Sequence, residues 1–93
     1  MSQMKRISKN NTSILSTNGL TSIILHGTEV VRYDERKIIL NSGGWQTVTT
    51  KARMNQTSNE RALGYQVYSK KGSWVVLFKG VELAFSDDMI LVR

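Results

Sequence analysis

At 93 residues the chain makes one domain, and a domain of that size buries only about 60–65% of its unfolded surface, which leaves little room for a deep enzyme cleft. The absence of cysteine excludes disulfides, thiolate metal sites and thiol nucleophiles, and it fits a reducing cytoplasm. A formal charge of +6 favours an anionic partner such as nucleic acid, against the plainer reading that it keeps a small domain soluble.

Residues 1–20 are rich in Ser, Asn, Thr and Lys and lack periodicity, so they predict a flexible basic N-terminal arm carrying Lys5, Arg6 and Lys9. No apolar stretch there resembles a signal peptide, and no run approaches the length of a membrane span. A single β-rich domain is expected over 21–93. Its charge is uneven: between residues 47 and 80, Lys51, Arg53, Arg61, Lys70, Lys71 and Lys79 stand against Glu60 alone.

From Thr21 onward short β-branched and aromatic runs alternate with turn residues, the pattern of a meander or small barrel. Ser22–Leu25 and Thr28–Tyr33 flank the turn His26-Gly27, and Asp34-Glu35-Arg36 leads into Lys37–Leu40. Gly43-Gly44 breaks that strand. Thr47 or Thr49 can cap a helix start and Gly64 can end it, so a helix is expected at about 48–62, with a weak apolar stripe that would dock shallowly.

Four further strands follow: Tyr65–Ser69, Ser73–Phe78, Val81–Phe85 and Met89–Val92, with Lys70-Lys71-Gly72 as a bulged turn between the first two. Ser73–Phe78 is apolar on both faces and should be central. The ending Met-Ile-Leu-Val reads as a fully buried strand. The predicted class is α+β, mainly β: a small curled antiparallel sheet or partly open barrel of about seven strands, split three and four, with the helix inserted between the halves.

No catalytic, metal or cofactor motif emerges, and an enzyme is not expected. His26, the only histidine, sits in a turn with no second imidazole or thiolate to share a metal. Asp87-Asp88 has turn chemistry. Gly43-Gly44 ahead of a helix resembles an anion cradle, although the pattern of a nucleotide-binding loop is missing. The segment Trp45, Gln46, Thr49, Thr50, Lys51, Arg53, Asn55 and Gln56 concentrates side chains whose geometry suits base edges and phosphates. Against this stands a solvated helix whose asparagines bond neighbouring backbone. Tyr68 beside Lys70 and Lys71 adds an aromatic on a basic hairpin, as single-strand binders require. Trp74 alternates with Val76 and Phe78 and reads as core.

The run Leu40-Asn-Ser-Gly-Gly-Trp-Gln-Thr-Val-Thr-Thr-Lys-Ala-Arg-Met-Asn-Gln-Thr-Ser-Asn59, followed by Gly64-Tyr-Gln-Val-Tyr68, resembles a group of small proteins encoded by tailed bacteriophages. The likeness runs from His26 to Met89, departs from the usual Asp-Gly-Met at Ser86-Asp-Asp-Met89, and leaves out the N-terminal arm. It implies a phage origin and action in the host bacterial cytoplasm, and transfers no site residue. Three readings remain: a non-enzymatic nucleic-acid-binding accessory protein, an inhibitor that binds a host protein, and a small oligomeric assembly protein.

Overall fold

The computed structural model describes residues 11–93. Four dipeptides, Asn18-Gly19, His26-Gly27, Lys71-Gly72 and Lys79-Gly80, hold both residues at positive φ. This is the two-residue turn whose twist matches the strands it joins. The turns close hairpins between β1 (Thr12–Thr17) and β2 (Leu20–Leu25), β2 and β3 (Thr28–Tyr33), β5 (Tyr65–Lys70) and β6 (Ser73–Phe78), and β6 and β7 (Val81–Ala84). The other elements are β4 (Lys37–Leu40), α1 (Val48–Arg61) and β8 (Met89–Val92).

The strands form two antiparallel sheets, neither closed, in the orders β1-β2-β3-β4-β8 and β5-β6-β7. The α+β, mainly β class and the helix stand as expected, and β6 is central in its sheet. The split is five and three instead of three and four. Residues 12–17, assigned to the arm, form the edge strand β1; residues 1–10 of that arm lie outside the described residues. The turn ahead of β6 is the pair Lys71-Gly72, not a bulged three-residue turn, since Lys70 is paired with Ser73.

β8 leaves the hairpin sheet and pairs with β4, Lys37 opposite Val92 and Leu40 opposite Met89. It is an edge strand in which only Leu91 is buried, while Ile90 and Val92 are 56% and 69% exposed. An unbroken apolar run shows that a strand has two apolar faces, but not that both faces are covered.

Ile23, Val31, Ile38, Leu40 and Leu91 from the first sheet meet Tyr65, Val67, Val76 and Phe78 from the second, with Met54 and Leu63 between them. In β3 the register slips by one residue opposite Ile23 and Ile24, and this bulge turns both Val30 and Val31 inward.

The helix does not dock shallowly. Every residue from Arg53 to Ser58 is buried, although only Met54 among them is apolar. The reason is hydrogen bonding to the open edge of β5. Ser58 Oγ donates to the Tyr65 carbonyl and accepts from the Tyr65 N–H, at 2.7 and 3.0 Å. Asn55 donates to the Val67 carbonyl at 2.8 Å and accepts from the Val67 N–H at 2.7 Å. Lys51 reaches Ser69 Oγ at 3.0 Å.

A helical turn rises about 5.4 Å and two strand residues about 6.8 Å. That near match lets side chains three and four apart on α1 address alternate residues of β5, so the helix covers an edge that would otherwise be open to another chain. Tyr65 also donates its hydroxyl to the Met54 carbonyl at 2.6 Å. Burial, with the neighbouring Tyr33 adding to it, pushes the Tyr65 phenol well above the ordinary tyrosine range.

Thr47 caps the helix by accepting the Thr50 N–H. The helix is capped at its other end by Ala62, ahead of Gly64, and Ala62 is left-handed at φ 55° and ψ 46°. A side chain there costs about 1 kcal/mol. Ala62→Gly is therefore expected to stabilise the protein by about 0.5–1 kcal/mol in urea unfolding, because the glycine adopts this conformation without strain.

Candidate interaction site around Trp45

The residues that the sequence assigned to binding part into three groups. Thr50, Arg53, Asn55 and Gln56 are buried. Asn55 serves β5, Thr50 closes the helix cap with Thr47, and Arg53 donates to Thr12 Oγ1 at 2.9 Å and to Gln56 at 3.4 Å. Each of the four makes hydrogen bonds within the fold. Lys51 is half-buried, bonded to Ser69, with its ammonium 6.0 Å from the Trp74 ring centre.

The basic hairpin is partly neutralised from within. Glu82 on β7 accepts hydrogen bonds from Lys70, at 2.9 Å, and from the Tyr68 hydroxyl. Lys70 first and Tyr68 second hold the Glu82 carboxyl below the usual carboxylate range. The hydrogen bond to Glu82 in turn raises both Lys70 and the Tyr68 phenol. Lys71 stays exposed in its turn. Trp74 is half-buried and packs edge-on against Phe85, its ring centre 5.2 Å away, which fits the core reading.

Trp45, Gln46 and Thr49 form the third group and are exposed, Trp45 to 70%. Val48, three residues on at the start of α1, is 79% exposed. Trp45 lines a cleft of about 510 Å³, whose walls are Leu25, His26, Thr28 and Val30 on the β2–β3 hairpin and Ser42, Trp45, Thr47, Thr49 and Thr50 on the facing loop and helix start. Among the described residues no Asp, Glu, Lys or Arg lines it, and most of its surface is apolar.

The loop that carries Trp45 is tied at nearly every residue. Gly43 N–H donates to Asn41 Oδ1 at 2.6 Å and Gly44 N–H to Ser42 Oγ at 3.2 Å, so the chain's own oxygens fill the cradle expected to receive an anion. Asp87 accepts from both the N–H and the hydroxyl of Ser42, and Asp88 accepts from Asn41. The Trp45 N–H closes a turn onto the Ser42 carbonyl. Gly43 sits at φ 65° against Thr28, where a Cβ would lie 2.6 Å from the threonine methyl. Asp87-Asp88 is thus turn chemistry with a second task, since it fastens this loop across the sheet end.

Sequence reasoning singled out Trp45, Gln46 and Thr49 but not the exposed Val48, nor the hairpin wall that completes the cleft. The available signal was Trp45 and Val48 three residues apart in an otherwise polar stretch. Among the described residues no cluster of three or more His, Cys, Asp or Glu side chains could hold a metal ion, and no helix is long and apolar enough to cross a membrane.

Comparison with curated proteins and with solved structures returns no match. The family model of the Kyanoviridae Gp96 protein matches residues 1–91, and so extends over the N-terminal residues that the resemblance left out. This match agrees with the expected phage origin, and the chain belongs to the Kyanoviridae Gp96 family of phage proteins.

Proposed function

We propose that the protein is a non-enzymatic phage accessory factor that acts in the host cell by binding another protein through Trp45, Val48 and the adjoining cleft. The observation that carries this reading is a tryptophan held 70% exposed by a loop whose backbone is pinned on several sides. A solvent-facing indole that loses little freedom on docking is the profile of an interface anchor, and the mostly apolar cleft beside it, with no charged side chain among its described lining residues, accepts apolar side chains.

The nucleic-acid reading has less support. Four of the helix residues chosen for it are buried, Lys70 is paired with Glu82, and Gly43 and Gly44 direct their N–H groups to the chain's own oxygens. Affinity capture of host proteins with wild type, Trp45→Ala and Lys71→Ala separates the two. The expected result is a specific partner retained by Lys71→Ala and lost with Trp45→Ala, an effect of about 2 kcal/mol or more for a central aromatic anchor. Oligonucleotide binding that weakens steeply with salt and depends on Lys71, with no Trp45-dependent partner, would restore the nucleic-acid reading.

A further inference from the structure

Among the described residues the sheets have four edges. β5 is covered by α1, β7 carries Glu82, and β1 is Ser or Thr at four of its six positions, around Ile14 and Leu15. The fourth, β8, is Met-Ile-Leu-Val with no charge inside the strand and no strand beyond it among the described residues. Its shortness is the only device that blunts it.

The backbone of this edge is aimed outward in a defined register. The Arg93 N–H donates to the Arg36 carbonyl at 2.7 Å, in step with the pairing of Leu91 to Ile38. Alternation then points the N–H and C=O groups of Ile90 and Val92 away from β4. The side chains of the same two residues stand on the outer face of the sheet, opposite the face that carries Leu91 into the core.

We propose that β8 is a homodimer edge, two copies pairing antiparallel about a two-fold axis at Leu91. In that register Ile90 lies opposite the second copy's Val92 and Val92 opposite its Ile90. All the outward backbone groups of both residues are then bonded, and the exposed side chains form two apolar cross-strand pairs. Charge complementarity selects this partner and direction. Antiparallel pairing sets the Arg93 end of each strand beside the Asp87-Asp88 end of the other, whereas parallel pairing would place like charges together.

The test is the mass of the full chain in solution by light scattering or sedimentation. The expected species at tens of micromolar has twice the 10.5 kDa chain mass. Ile90→Lys puts a charge into each cross-strand pair. Val92→Pro removes only an outward N–H, which leaves the pairing to β4 intact. Each is expected to raise the dimer dissociation constant about tenfold or more, with circular dichroism unchanged. Leu15→Lys on the opposite edge should leave the dimer in place. A wild type that stays monomeric to about 100 μM overturns the proposal, as does a dimer that survives both β8 substitutions or that Leu15→Lys dissociates instead.

Discussion

Asn55→Ala is expected to destabilise the protein by about 2–4 kcal/mol, because it removes the carboxamide that satisfies both backbone groups of Val67. Asn55 is 5% exposed and Val67 1%, so water cannot replace the lost partners without opening the seam between α1 and β5. One N–H and one C=O would be left unpaired, each costing about 1–3 kcal/mol. A domain of this size has about 5–15 kcal/mol in all, so the melting temperature should fall by at least about 10 °C. Asn59→Ala is the control: Asn59 is exposed one turn further along, and its loss should change stability by less than about 0.5 kcal/mol. A small effect at Asn55 would mean that β5 does not depend on the helix to complete its edge.

Gly43→Ala should cost about 2–3 kcal/mol and disturb the surroundings of Trp45. Two effects add. The left-handed backbone at φ 65° penalises any Cβ by about 1–2 kcal/mol, and that Cβ would press to 2.6 Å from the Thr28 methyl and 2.9 Å from its hydroxyl. Gly44→Ala, at φ 84° with open space around it, should show the backbone part alone. Made in a Thr28→Ala background, Gly43→Ala should recover about half of its cost, since the contact has been removed and the backbone strain has not. Tryptophan fluorescence reports the loop directly: Trp45 is the exposed indole and Trp74 the half-buried one. A shift of the solvent-exposed emission in Gly43→Ala, absent in Gly44→Ala, would tie the close packing of Gly43 to the presentation of Trp45. Unchanged stability in Gly43→Ala would mean that the loop is not pinned against β3.

The difference between Asn55 and Trp45 shows how far residue types reveal roles. Both lie in the polar segment that the sequence marked for recognition, and Asn, Arg and Gln there have side chains suited to base edges. The same donors and acceptors suit a strand edge equally well. Local chemistry cannot say which of the two an asparagine will meet; that depends on whether a β-strand edge lies across from it. The Asn18-Gly19 pair makes the opposite point. It is a strong hairpin signal, and weighing it above the polar composition around it would have found β1.

The hairpin at His26-Gly27, a helix capped by a threonine, the inward alternation of β6 and the turn at Asp87-Asp88 are settled by the sequence itself, because each depends on neighbours a few residues apart: a glycine that accepts positive φ, a hydroxyl within reach of a free N–H, a period of two. The grouping of strands into sheets of five and three, the placement of β8 beside β4, the burial of the polar helix and the exposure of Trp45 were decided only by tertiary structure. Each of these rests on a partner tens of residues away, such as Ile38 for Leu91, Val67 for Asn55 or Thr28 for Gly43, and the pairing energy is shared between segments whose local patterns fit several arrangements equally well.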